Sequence, residues 1–267
     1  MATEILVDFS EKSPALFRKN KEYLNNILEM LFVHMIDIEE DISDEWKKPE
    51  EGYNEDMEDE GDFETTRFGM GAIDRIIYSV GDKEVLPILS DGIKKLLEKP
   101  DWRYQYTAVM ALSQVGEYME DVTHISSIIE MIAGYLTHQN PMLRYASCHA
   151  IGQISDDMQP KFQETYGDVL YPKLVALLED QIPRVVSHAA AALTNFLEGM
   201  KYEKASPGVN RLMELLVQHS TNGISLVKES CLSTVSSVAE MCGENFVPYL
   251  EVTVGLLFNI IETHTSK

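Results

Sequence analysis

The sequence lacks a run of apolar residues long enough to cross a membrane. Its 267 residues are 45% hydrophobic, yet no stretch approaches the roughly 18 uncharged apolar residues that a membrane-spanning helix needs. The N-terminal residues also lack a basic segment followed by an apolar one, so we expect no secretory signal. We therefore expect a protein that does not insert into membranes.

Basic residues are scarce. The chain has 22 lysines and arginines against 44 aspartates and glutamates, a formal net charge of −22 at pH 7. Such a field repels nucleic acid phosphates and anionic lipid surfaces and attracts basic ligands. We therefore expect no direct nucleic acid binding.

Cysteines are few, and catalytic motifs are missing. Cys148, Cys231 and Cys242 each fall in a helical pattern, and we expect buried, reduced thiols rather than disulfides. Their spacing and that of the histidines predict no metal site. Without a glycine-rich phosphate loop, HExxH motif or GxSxG motif, the sequence predicts no enzyme activity and no cofactor.

One short apolar pattern recurs along the chain. The pattern has small or apolar residues at positions 1, 2 and 5, which form one stripe of an α-helix. Its copies lie 39 to 42 residues apart and begin at Ala72, Ala111, Ala150, Ala192 and Thr234. This period predicts an all-α fold, an α-α superhelix of antiparallel pairs with an outer helix A and an inner helix B.

Turn residues between the repeats set the predicted helix boundaries. A further copy, Ile5-Leu6-x-x-Phe9, indicates that the chain starts inside a repeat, and helical sequence then continues to about Ile36. The remaining helices are predicted at 65–80, 83–99, 101–119, 121–138, 141–157, 163–180, 183–199, 207–220 and 224–242, with one more starting near Asn245. The prediction is a single solenoid segment over 1–267, with five to six repeats and truncated at both ends.

An acidic insertion interrupts the repeats. Asp37–Glu64 contains fifteen acidic residues against Lys47 and Lys48, a charge of −13 in 28 residues. Like charges at this density resist compaction, so we expect 37–64 to be disordered.

The repeats resemble HEAT repeats, with a proline near the start of helix B followed by a basic residue and an alanine-rich stripe. The runs DWRYQYTAVMALSQVGE, RYASCHAIGQ and SHAAAALTNFLE resemble the importin-β (karyopherin-β) superfamily, in particular its importin-5 branch. GAIDRIIYSVGDKEVLP after an acidic insertion is similar to the same branch in its order of elements. Because members of the superfamily have roughly twenty repeats, the resemblance implies a middle fragment of a longer protein.

The resemblance implies a nuclear import receptor, monomeric and shuttling between cytoplasm and nucleus. Its implied partners are basic nuclear localisation signals on the concave helix-B surface, Phe-Gly nucleoporins on the outer surface, and Ran-GTP, which releases cargo. The alternative is a HEAT-repeat scaffold for other complexes, such as a phosphatase scaffold, without a transport role.

The side of helix B opposite the apolar stripe contains two polar columns. One column holds amides or hydroxyls, at Gln114, Gln153, Asn195 and Ser237. The other is acidic in four of these copies, at Glu117, Asp156, Glu198 and Glu240, with Glu11 at the same position upstream. An acid near a helix C-terminus is disfavoured by a few tenths of a kcal/mol, so the recurrence indicates a function. We expect the acids to bind lysines or arginines of an extended peptide while the polar column binds its backbone; the alternative is an ordinary solvated face.

The acidic insertion is a second candidate contact. By resemblance, it would bind Ran or basic cargo, and a solubilising spacer is the alternative. The candidate residues in it are Glu39, Glu40, Asp41, Asp44, Glu45, Asp56, Glu58, Asp59 and Glu60.

Overall fold

The computed structural model of the protein describes residues 2–51, 64–119 and 121–265. These residues form two compact units, one of residues 2–42 and 64–119 and the other of residues 43–51 and 121–265. Every regular element in the described residues is a helix, which confirms the all-α class. A single solenoid over 1–267 stays a prediction.

Fourteen α-helices are described. In chain order they are α1 (Ala2–Lys12), α2 (Pro14–Lys19), α3 (Lys21–Ile36), α4 (Asp44–Lys47), α5 (Glu64–Val80), α6 (Asp82–Leu97), α7 (Trp102–Leu112), α8 (Ser126–Tyr135), α9 (Pro141–Asp157), α10 (Lys161–Leu177), α11 (Pro183–Glu198), α12 (Tyr202–Asn222), α13 (Ser225–Cys242) and α14 (Val247–Thr265). Short 3₁₀ helices cover Gly116–Tyr118, Val122–Ile125 and Gly243–Phe246. None of the described helices is long and apolar enough to span a membrane.

The first unit packs around α5. Helices α1 and α3 both lie against it, and α6 packs on α7. Val7, Leu24, Ile73 and Ile76 contribute side chains with no exposed surface to this core, so the recurring apolar stripe faces inward as predicted.

The second unit consists of helix pairs. Helix α8 packs with α9, α10 with α11, and α12 with α13, while α9, α11 and α13 lie side by side in that order. The buried stripe of α9 is Ala150, Ile151 and Ile154. The inner helices thus form a continuous layer whose cohesion comes from burying these apolar side chains.

Helix α9 has the predicted boundaries, 141–157. The side chain of Asn140 accepts a hydrogen bond from the Met142 backbone N–H at 2.8 Å, and Pro141 occupies the first turn. Both are favourable at a helix start, since the first N–H groups have no partner within the helix.

The predicted helix start at residue 207 is wrong, because α12 begins at Tyr202 and runs through Ser206-Pro207-Gly208. Pro207 lies in the second turn, close enough to the helix start that it removes little more than one hydrogen bond. Gly208 lets α12 approach α10, since a Cβ there would lie 2.9 Å from the Tyr171 ring.

Two other predicted helices divide. The helix predicted at 101–119 ends at Leu112, and Val115 N–H then bonds to the Leu112 carbonyl in the tighter three-residue pattern. The buried Ser113 hydroxyl donates to the Met110 carbonyl at 2.7 Å, a local bond that competes with continuation of the helix. The helix predicted at 121–138 is a 3₁₀ turn followed by the shorter α8.

The expectation that 37–64 is disordered needs correction in its first part. Residues 43–51 belong to the second unit, contain α4, and bury Trp46 to 5% exposure. The charge density argued against compaction, but a single large aromatic side chain supplies enough apolar area to fix the segment locally. Residues 52–63 lie outside the described residues.

Candidate functional site

The candidate site lies on one surface of the second unit, which we call the α9–α11–α13 face. On α9 it consists of Tyr145, His149, Gln153 and Asp156, which recur every three or four residues and therefore share one side of the helix. The same side of α11 presents Arg184, His188, Asn195 and Glu198, and the same side of α13 presents Ser233, Ser237 and Glu240. The apolar stripes on the opposite sides of these helices hold the layer together.

The acidic column occupies the last turns of the three helices. Asp156, Glu198 and Glu240 are all exposed. Within the described residues, no basic side chain lies at ion-pair distance from any of them. Asp156 only accepts a long, 3.4 Å hydrogen bond from the Gln159 side chain. The carboxylates are therefore available to an external cation.

The polar column is partly engaged in holding the helices together. The Asn195 side chain donates to the Gly152 carbonyl on α9 at 3.3 Å. Gly152 permits this approach, because a Cβ there would lie 3.1 Å from the Ala192 backbone of α11. Gln153 donates to Asp157 on its own helix at 3.1 Å, and Ser237 is buried. Gln153 and Asn195 nevertheless stay half-exposed on the face.

One residue of each column lies in the first unit: Gln114 of the polar column and Glu117 of the acidic column. Gln114 donates to the Ser113 hydroxyl at 2.9 Å, and Glu117 is exposed in the 3₁₀ helix after α7 rather than in an α-helical last turn. Glu11, at the same repeat position as Glu117, lies 2.8 Å from the Arg75 guanidinium. Arg75 lowers the pKa of the Glu11 carboxyl through this hydrogen bond.

An aromatic and cationic cluster occupies the opposite end of the α9–α11–α13 face, and sequence reasoning missed it. The Trp46 ring packs edge-on against Tyr145 at 5.6 Å between centroids, and the Arg184 guanidinium carbon lies 5.6 Å from the same ring. Arg184 Nε also donates to the Trp46 carbonyl at 2.9 Å, and the Ser43 hydroxyl accepts from the Trp46 N–H at 3.1 Å. A lone tryptophan within an acidic run was the available signal.

His188 links this cluster to the middle of the face. Its ring lies 3.9 Å from that of Tyr145 and 5.9 Å from that of His149. Removal from water, with smaller effects from His149 and Arg184, lowers the pKa of His188 to about 3. Burial also lowers the pKa of His149. Both rings are therefore neutral at physiological pH.

The predicted residues of the acidic insertion divide into two groups. Glu39, Glu40, Asp41, Asp44 and Glu45 are exposed. Asp56, Glu58, Asp59 and Glu60 lie outside the described residues.

Other ionisable groups offer no second site among the residues described. No group of three or more metal-ligating side chains occurs there. Cys148, Cys231 and Cys242 are buried and not disulfide-bonded, as expected, and burial raises the pKa of the Cys231 thiol to about 12.

The stacked helix pairs define a HEAT-repeat protein, and comparisons with known proteins agree. The family described as importin repeat matches residues 1–87, and the family described as HEAT repeats matches residues 89–194. Importin subunit beta-3 of Saccharomyces cerevisiae is 29% identical over 271 residues, which cover 99% of this chain and 24% of the yeast protein.

Solved structures of Kap121p have the same fold. The crystal structure of Kap121p bound to Pho4p matches with a TM-score of 0.85 and 27% identity, over 98% of this chain and 26% of that one. A Kap121p variant with three acidic residues replaced by lysine matches with a TM-score of 0.86 and 26% identity, over the same shares. The importin-repeat and HEAT-repeat matches and the Kap121p structures together support the importin-β (karyopherin-β) superfamily for this chain, which spans about a quarter of the length of these relatives.

Proposed function

We propose that this chain is the cargo-binding part of a nuclear import receptor, and that basic localisation signals bind to the α9–α11–α13 face. The observation that carries the proposal is the row of exposed carboxylates, Asp156, Glu198 and Glu240, which have no basic partner among the described residues. They recur every 42 residues. The three acids replaced by lysine in the Kap121p variant are 43 and 42 residues apart in that protein, which supports a shared arrangement.

The row has a spacing that suits an extended peptide. Neighbouring packed helices lie about 8–10 Å apart, and three residues of extended chain span about 10 Å. Each carboxylate would therefore accept charge-assisted hydrogen bonds from a lysine or arginine at roughly every third peptide position. Gln153 and Asn195 would bind the peptide backbone between them, and we extend the same roles to Gln114 and Glu117.

A second Kap121p variant supports the pairing of amide and acid. Among its substitutions is a glutamine three residues before the first of the same three acids. Gln153 stands three residues before Asp156, and Gln114 three before Glu117.

The remaining functions concern the whole protein. Kap121p has been crystallised with Pho4p, Ste12p, Ulp1p and Nup53p, which supports the proposal of cargo and nucleoporin binding. We extend the proposal to binding of Phe-Gly nucleoporins, release of cargo by Ran-GTP, shuttling between cytoplasm and nucleus, and contact of the acidic insertion with Ran or cargo.

Fluorescence anisotropy of a labelled lysine-rich peptide tests the proposal. The double variant Asp156→Ala/Glu198→Ala should bind up to about thirtyfold more weakly, since exposed ion pairs contribute up to about 1 kcal/mol each. The loss should shrink at high salt because the pairs are exposed. Glu130→Ala/Glu251→Ala, which makes the same charge change at exposed positions on α8 and α14, is the matched control.

The control should bind like the wild type. Equal affinities of the two double variants would contradict the proposal. So would a wild-type chain that binds a lysine-rich peptide no better than the same peptide with its lysines replaced by alanine. The second of these results is the one expected of a HEAT-repeat scaffold without a peptide groove.

A further inference from the structure

Residues 43–51 of the acidic insertion are attached to the face that we propose binds cargo. Residues 43–51 cross the N-terminal turns of the inner helices. Trp46 contacts Tyr145 on α9 and Arg184 on α11. At the start of α13, the Ser225 hydroxyl donates a hydrogen bond to the Glu51 carboxylate at 2.6 Å. Trp46 is the anchor, because its side chain and that of Arg184 are buried together, at 5% and 3% exposure.

This segment leaves the carboxylate row uncovered. Trp46 contacts Arg184 in the first turn of α11, whereas Glu198 is the last residue of that helix. Arg184 and Glu198 are 14 residues apart, a rise of about 21 Å along the helix. An extended peptide with its side chains is about 10 Å across, the distance that separates two packed sheets, so it fits between Trp46 and the acidic column.

The negative charge of residues 43–51 determines whether this segment blocks the carboxylate row or contributes to peptide binding. A segment bearing Asp44, Glu45, Glu50 and Glu51 is repelled by a row of carboxylates, so it cannot occupy the row in place of a basic peptide. It can, however, present carboxylates to the other side of a bound peptide. Glu45 and Glu50 are exposed on the segment.

We infer that Trp46 is a positioning residue that fixes residues 43–51 as the second edge of the peptide groove, opposite Asp156, Glu198 and Glu240. The inference rests on the proposed function and names the ligand more closely, as an extended peptide with basic side chains on both edges. Without Trp46, the carboxylates of residues 43–51 would be spread over the volume that a flexible segment can reach, and their local concentration at the groove would fall.

Peptide affinity of the full chain, measured by anisotropy with a lysine-rich peptide at low salt, tests the inference. Trp46→Ala keeps every acidic residue and should bind about threefold to tenfold more weakly. Trp46→Phe keeps an aromatic ring against Tyr145 and should bind within about twofold of the wild type. Circular dichroism checks that the variants fold.

A second variant neutralises the edge but keeps the tryptophan: Asp44→Asn/Glu45→Gln/Glu50→Gln/Glu51→Gln. It should lose as much affinity as Trp46→Ala, and combining the two should cause no further loss, since both remove the same carboxylates from the groove. This variant decides the question if Trp46→Ala does not fold.

Unchanged affinity of the neutralised variant would overturn the inference, and so would tighter binding by Trp46→Ala, which is the result for a segment that shields the groove. Asp156→Ala/Glu198→Ala measured in parallel separates the two proposals. If that variant loses affinity while the insertion variants do not, the inference fails alone; if none of them differs from the wild type, the proposed function fails with it.

Discussion

Glu11 and Glu198 occupy the same position of the repeat, but their surroundings differ. In the first unit, the Arg75 guanidinium lies 2.8 Å from Glu11 and also 2.8 Å from Glu4 and Asp8. In the second unit, Glu198 has no basic partner among the residues described. One acid is thus neutralised within the molecule, and the other is available to a ligand.

The difference arises from the neighbouring polar column. Arg75 occupies in α5 the position that Gln153, Asn195 and Ser237 occupy in α9, α11 and α13. Where that column contains an arginine, it pairs with the acid of the preceding repeat; where it contains an uncharged residue, the acid stays unpaired. The recurrence of an acid is therefore insufficient to define a site, and the residue of the next repeat must be considered as well.

A buried, paired acid defines one extreme of this comparison. Asp180 is 7% exposed and binds the Arg144 guanidinium through both oxygens, at 2.6 and 3.0 Å. Asp180→Ala should lower the free energy of unfolding by about 3–5 kcal/mol, because it leaves a largely buried arginine without its counter-ion. Urea denaturation measures this. A decrease in the free energy of unfolding of less than about 1 kcal/mol would show that Asp180 behaves like an exposed, unpaired acid instead.

His188 shows how the opposite end of the α9–α11–α13 face responds to pH. Its pKa is lowered to about 3 from the usual 6.5, so below pH 6.5 the unfolded chain takes up a proton that the folded chain excludes. The free energy of unfolding should therefore decrease as the pH is lowered, by about 1.5 kcal/mol for this residue between pH 6.5 and pH 5. The pH dependence of unfolding should be shallower in His188→Gln; an identical slope would contradict the assigned environment.

Arg75→Gln tests the paired side of the comparison. It should release Glu4, Asp8 and Glu11 and lower the melting temperature by only about 1–3 °C, since the cluster is exposed. In carboxyl NMR titrations the pKa of Glu11 should rise towards its usual value, because its main cause, the Arg75 hydrogen bond, is gone. No movement of the Glu11 titration would show that the pair does not form in solution.

Glu198→Gln should have the smallest effect on stability. An unpaired surface acid contributes no interaction to lose, and removing a negative charge from a helix C-terminus is slightly favourable. The free energy of unfolding should stay within about 0.5 kcal/mol of the wild type, as measured by urea denaturation. A larger loss would indicate a hidden structural role for this residue.

The repeats could be predicted from the sequence because their apolar stripe is local and periodic. The stripe and the capping residues Asn140 and Pro141 determine α9 without reference to the rest of the molecule. Pro207 misled the prediction because its effect depends on its place in the helix: α12 begins at Tyr202, so that the proline falls in an early turn.

The candidate site could be predicted only in part. The acidic column follows from helix geometry, whereas the pairing of Glu11 with Arg75 joins residues 64 positions apart. The contact of Arg184 with Trp46 spans 138 positions. Contacts at such separations depend on how the helices pack, which the repeat period does not specify, and nothing in the local sequence distinguishes Trp46 from a tryptophan in a solvated loop.

Asp156 can bind basic peptides because the polar-column residue of the next repeat, Asn195, is uncharged and leaves the Asp156 carboxylate unpaired. Asn195→Arg imitates Arg75 and should pair with Asp156, so a lysine-rich peptide should bind about as weakly as it does to Asp156→Ala. Gln218→Arg, which adds the same charge at an exposed position of α12, is the control. Anisotropy at low salt should show a several-fold loss for Asn195→Arg alone, and equal affinities of the two arginine variants would contradict the account.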